Sequence, residues 1–204
     1  IPTAIDPAAE SADQSAQKKL SDEVLHLVLS SEAGHALSPQ QGEAALLEAM
    51  SRSARILFDF EDTVILLTNG AGNALVGVPI GESKQRLKEF TVALTSGGIV
   101  AEATLQRRTA FIVDDGNPLG VTEEQLMRIL KCDALVCQPL VSHGRSLGLL
   151  IGGIAAWQSE GLHKRERFLK SFGEQAATAL ETALGERSEA SRRVATVVED
   201  YREA

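Results

Sequence analysis

Leu147-Gly-Leu-Leu-Ile-Gly-Gly-Ile154 is the stretch that most narrows the folds open to this chain. It is apolar at odd and even positions alike, so as a strand it buries both faces. Such a strand belongs in the middle of a sheet that is covered on both sides. Just before it, Ala134 to Val141 is a second apolar strand, joined to it by Ser142-His143-Gly144-Arg145, a compact hairpin turn. The longest apolar run, Leu147 to Trp157, falls well short of the roughly 20 residues a membrane-spanning helix needs. The run therefore predicts the centre of a globular core.

The remaining segments supply the covering layers. Residues 1–13 are rich in Ala, Pro, Ser and acid, have no period, and read as a tail. From 14 to 37 an amphipathic helix is expected, its stripe made by Leu20, Val24, Leu27 and Ser31. Ser38-Pro39-Gln40-Gln41 has the form of a helix start, with Ser38 as cap and Gln41 completing a capping box. That helix runs through Leu46, Leu47, Met50, Ala54 and Leu57. At Thr63 the period changes to that of strands: Thr63–Thr68, a turn at Asn69-Gly-Ala-Gly72, and a return over Asn73–Val78. Further strands are expected at Phe90–Thr95 and Thr109–Val113, with a helix at Ile99–Arg107 between them. Asp114-Asp-Gly-Asn-Pro118 is a loop, and Thr122 is expected to cap a short helix, with Gln125 completing its box and Val121 stapling to Leu126. From His163 the steps Leu169, Phe172, Ala176, Leu180, Leu184, Arg187, Ser191, Val194, Val198 and Tyr201 make one long helix or two in line. Gly185 is a candidate break between them. The organisation is a domain over 38–184 with a helical extension over 185–204.

Charge excludes some functions. At −8, the chain lacks the clustered Lys and Arg that nucleic acid or an anionic membrane surface needs, so neither is an expected partner. Two cysteines in one apolar stretch are no disulfide framework and fit a reducing compartment, with the cytoplasm as the default. The chain opens on Ile1 rather than Met, which suits a fragment of a longer protein.

Several features in this order resemble the GAF family of small-molecule sensing domains. Thr95-Ser-Gly-Gly-Ile-Val-Ala-Glu102 is similar to that family's glycine-marked entry into its inner helix. Arg107-Arg-Thr-Ala-Phe-Ile-Val-Asp-Asp115 is similar to the strand and acidic loop that follow. Leu135-Val-Cys-Gln-Pro-Leu140 with Leu147-Gly-Leu-Leu150 resembles its closing hairpin, and Gln175-Ala-Ala-Thr-Ala-Leu-Glu181 its terminal helix. The resemblance covers roughly residues 43–183. It implies an α+β, GAF- or PAS-like fold: an antiparallel sheet of about six strands, helices on both faces, and long terminal helices. It also implies pairing through those helices as a homodimer, with a pocket on the other face.

A pocket between the sheet and the segment from Phe90 to Leu130 has Phe90, Ile99, Phe111, Val113, Leu126, Leu135 and Cys137 as candidate lining. Asp115 is the candidate polar contact. The same apolar residues equally describe a plain core, because pockets are themselves mostly apolar. Asp114 and Asp115 equally describe turn chemistry. Cys132 and Cys137 lie five apart, which on a strand puts them on opposite faces, so buried unreactive thiols are favoured over a bridge. The histidines have no metal-ligand spacing, and the glycines match neither a P-loop nor a dinucleotide fingerprint. Pigment-binding relatives attach through a cysteine commonly followed by His, whereas Asp133 and Gln138 follow the cysteines here. The cyclic-nucleotide signature of the family is not found, and its sulfoxide reductases use cysteines in other settings.

The expectation is a non-catalytic sensory or regulatory domain. It binds an unidentified small molecule, or serves as a dimerising spacer, and relays to an output domain in the same or a partner chain. No cofactor can be named. A thiol-based redox enzyme or sensor using Cys132 or Cys137, and a purely structural dimerisation domain with a filled core, stand as alternatives.

Overall fold

The computed structural model describes residues 37–38, 42–81, 84–116 and 118–203, with side chains of the final helix described through Gly185. The helix expected over 14–37 lies outside these residues, apart from Leu37, which is buried in the core. In chain order the elements are α1 (Glu43–Phe58), β1 (Asp62–Thr68), β2 (Ala74–Gly77), α2 (Lys84–Leu87), β3 (Thr91–Ala93) and α3 (Ile99–Gln106). Next come β4 (Ala110–Val113), α4 (Val121–Leu130), β5 (Ala134–Ser142) and β6 (Arg145–Ile154). A 3-10 turn (Ala156–Gln158), α5 (Ser159–His163) and α6 (Glu166–Glu203) complete the chain.

The strands form one antiparallel sheet in the order β3-β2-β1-β6-β5-β4. The doubly apolar β6 lies between β1 and β5, as its composition demands. Its glycines permit close layers: a Cβ at Gly152 would run into the Phe60 ring. The period-2 alternation then divides the core in two. Ile65, Val136, Leu140 and Leu150 face one way, onto Leu46, Met50 and Ala54 of α1 and Leu169, Phe172, Ala176 and Leu180 of α6. Val64, Leu66, Leu135, Cys137, Leu149 and Ile151 face the other way, onto Val100, Ala101 and Ala103 of α3 and Leu126, Met127 and Leu130 of α4. Burying each large aliphatic side chain contributes roughly 1.5–3 kcal/mol, so both layers are strongly held. Among the described residues no helix is long and apolar enough to cross a membrane.

Some element ends differ from expectation, each for a local reason. α1 begins at Glu43 with Gly42 in the cap position at φ 84°, so Ser38 does not cap it; Pro39 to Gln41 lie outside the described residues. α4 begins at Val121 after Gly120, which places Thr122 inside the first turn rather than at the cap. Val121 is 74% exposed while Leu126 is wholly buried, so the two form no staple. Glu123 turns inward from that first turn instead. His163 ends α5, and α6 starts at Glu166. Gly185 causes no break, because α6 is one continuous helix of 38 residues.

Candidate functional site

The β4–β5 register decides where the expected pocket residues fall. Phe111 opposes Val136 and Val113 opposes Ala134, so both share the α1/α6 face. They therefore stand on the opposite side from Leu135, Cys137 and Leu126, with which they were expected to line one pocket. Phe111 stacks instead on the His163 imidazole, with 3.7 Å between ring centroids. Leu126, Leu135 and Cys137 are brought together beneath α3 and α4, all wholly buried, and Phe90 packs against them from the chain before β3. Ile99, the first residue of α3, is 40% exposed. Asp115 lies exposed in the loop after β4, where the neighbouring Asp114 accepts a hydrogen bond from the Gly116 N–H at 3.3 Å.

Neither thiol is poised for nucleophilic chemistry. Burial pushes Cys132 up to about 11, against weaker opposing bonds to the Ile154 and Ala134 backbone. Burial pushes Cys137 up to about 12, with the Glu123 carboxylate adding to the effect. A thiol with such a value is almost wholly protonated near neutrality, and the thiolate is the reactive form. Neither cysteine is in a disulfide among the described residues. Among the described residues no group of three His, Cys, Asp and Glu could hold a metal ion.

Glu123 is the polar group that the sequence does not single out. It is the third residue of α4, yet only 1% exposed. Its Oε1 accepts the Val100 N–H of α3 at 3.1 Å, and its Oε2 is buried with no partner among the described residues. Two glycines make room for it. A Cβ on Gly98 would stand 2.9 Å from Oε1, and one on Gly120 would collide with Oε2. The carboxylate thus sits at the first turns of α3 and α4 together. Isolated burial of a carboxylate costs several kcal/mol, and the positive ends of two helices offset part of that cost. The effect is to tie α3 to α4 across the sheet. The visible signal was Gly97-Gly98 and Gly120 framing an acidic helix start, but acids at helix starts are usually solvated.

On the other face, polar bonds join the sheet to the terminal helices. The β5–β6 turn, with His143 at φ 47° and Gly144 at φ 74°, carries Ser142 and His143 to α6. Ser142 donates to Glu181 Oε2 at 2.5 Å, and His143 Nδ1 lies 2.8 Å from the same oxygen. Those two bonds hold the Glu181 carboxyl below its ordinary value. Arg165, just before α6, donates to the Leu57 carbonyl of α1 at 2.6 Å. Within the core, Ser51 of α1 and Thr63 of β1 share a buried hydroxyl bond of 2.5 Å. Sheet, α1 and α6 are therefore one mechanical unit.

The family model that matches is the GAF domain, over residues 43–180. No curated protein matches the chain. Among solved structures, the GAF domain of an Acinetobacter phosphoenolpyruvate-protein phosphotransferase is 11% identical with a TM-score of 0.63. That match covers 80% of this chain and 98% of that one. Free methionine-R-sulfoxide reductase from Neisseria meningitidis is 17% identical with a TM-score of 0.60, covering 90% of this chain and 96% of that one. Residues 122 to 287 of a methyl-accepting chemotaxis protein are 18% identical with a TM-score of 0.54, covering 76% and 96%. At these identities the likeness is one of fold.

Proposed function

We propose that the chain, which belongs to the GAF domain family, whose members are generally sensory signalling domains, is a sensory or regulatory domain that relays through α1 and α6. The observation that carries this reading is mechanical. α1 and α6 pack on each other and on one face of the sheet, and α6 continues unbroken to Glu203. A rearrangement of the sheet therefore moves both helices, and a continuous helix carries the movement outward. In this reading the chain pairs as a homodimer through its terminal helices. The output domain lies in the same or a partner chain. A small molecule sensed in the layer beneath α3 and α4 meets Phe90, Leu126, Leu135, Cys137 and one unused acceptor, Glu123 Oε2. Two cysteines in no disulfide among the described residues suit a reducing compartment such as the cytoplasm.

The thiol-enzyme alternative draws no support from the sulfur environments, since burial raises both thiols. The spacer alternative shares the mechanical unit and differs only in having no ligand.

Hydrogen exchange read by mass spectrometry tests the relay. The backbone of α1 and that of α6 up to Gly185 are expected to open together, in one cooperative step with β5 and β6. Opening of α6 well before α1, with the sheet still protected, would overturn the proposal.

A further inference from the structure

The turn after β1, the end of α3 and the start of β6 surround a hollow of about 660 Å³, away from the layer beneath α3 and α4. Two arginines line it from different elements. Arg107 closes α3 in the left-handed conformation at φ 56°, its N–H returned to the Ala103 carbonyl, so the root of its side chain is fixed. Arg145 opens β6. Neither guanidinium makes an ion pair or hydrogen bond among the described residues, although Arg145 acts on the Glu181 carboxyl at longer range. On a chain of net charge −8, two exposed arginines that make no close ion pair among the described residues share this hollow. Ser146, the next residue, also lines the hollow, and its carbonyl accepts the Thr68 hydroxyl at 3.3 Å.

We propose that this hollow binds a small organic anion, bearing carboxylate or phosphate, held by Arg107 and Arg145. Guanidinium groups match both anions in a two-pronged geometry. The volume falls in the range of small-molecule sites, roughly 300–1,000 Å³. The opposite wall is made by Glu43 of α1, which has an interaction of its own, and by Leu184 of α6. An occupant therefore lies against α1 and α6 as well as the end of α3. The site does not depend on the relay, since binding here holds whether or not α1 and α6 move together.

Isothermal titration calorimetry of the full chain at low salt, with pyrophosphate and citrate as probes, tests it. Saturable one-site binding of at least one probe is expected, and the probe that binds tells phosphate from carboxylate. Arg107→Gln and Arg145→Gln are each expected to weaken it about tenfold or more. Arg108→Gln removes the same charge beside the hollow and should leave affinity within about twofold. No saturable binding of either probe, or equal weakening by Arg108→Gln, overturns the proposal. All three arginines are exposed, so their replacement leaves the fold intact and the comparison valid.

Discussion

Glu123 has a buried carboxylate with a helix start on either side and no cation beside it among the described residues, so its neighbours must be shaped to it. Gly120 makes this testable. Its backbone, at φ −68° and ψ 155°, accommodates any residue, and the nearest atoms a Cβ would meet all belong to Glu123. Gly120→Ala is therefore expected to destabilise the protein by about 1–3 kcal/mol, through loss of the Val100 bond and crowding. In a Glu123→Ala background the same change is expected to be neutral, or stabilising by up to about 1 kcal/mol, because the chain loses entropy only when unfolded. A chemical-denaturation double-mutant cycle reads the difference. Equal costs in both backgrounds would show that Gly120 is kept for some other reason. Nothing about Thr122-Glu-Glu-Gln125 distinguished this buried acid from its solvated neighbour Glu124. Sequence pattern reports which side of a helix is apolar, and an inward-facing acid reads as an error in that stripe. The placing of Arg107 and Arg145 on one hollow was equally invisible, since it depends on two separated elements meeting.

At the scale of elements, strands and helices were readable wherever one period ran for several residues, as in Leu147–Ile154 and in the stripe through Leu180. What alternation alone does not decide is which layer a strand's odd residues meet. Phe111 and Val113 alternate correctly with Ile112, but the pairing Phe111 to Val136 sends them to the α1/α6 side. Helix starts were misplaced at Ser38 and Thr122 because glycines at 42 and 120 take the cap positions, with no side chain to announce it. The docking of the β5–β6 turn on α6 carries its own prediction. Glu181 is depressed in the folded protein by Ser142 and then His143. A depressed carboxyl contributes stability above its unfolded value of 4.5, and that contribution disappears as pH falls below it. Thermal melts are therefore expected to show Glu181→Gln lowering stability at neutral pH and losing its effect under acid conditions. A cost that persisted unchanged down to pH values well below 4.5 would mean the ionised carboxylate is not what holds the turn.

At the scale of the whole molecule, the family match over 43–180 and the six-stranded antiparallel sheet explain why the chain has two differently built faces. One face is closed by the short helices α3 and α4, pinned together at Glu123. The other is closed by α1 and by a helix that continues past the sheet to Glu203. That asymmetry was legible early, because a mixed-charge stripe longer than one domain needs is a property of sequence alone. Whether it meets a partner was not legible, since an apolar stripe does not record what covers it. In the proposed function α1 and α6 make this chain a dimeric relay. Native mass spectrometry at tens of micromolar tests it most directly, because it weighs the assembly without labels or substitutions. A mass of two chains, with any retained small molecule adding to it, is the predicted result. A mass of one chain would contradict the claim and leave the fold without its proposed route of signalling.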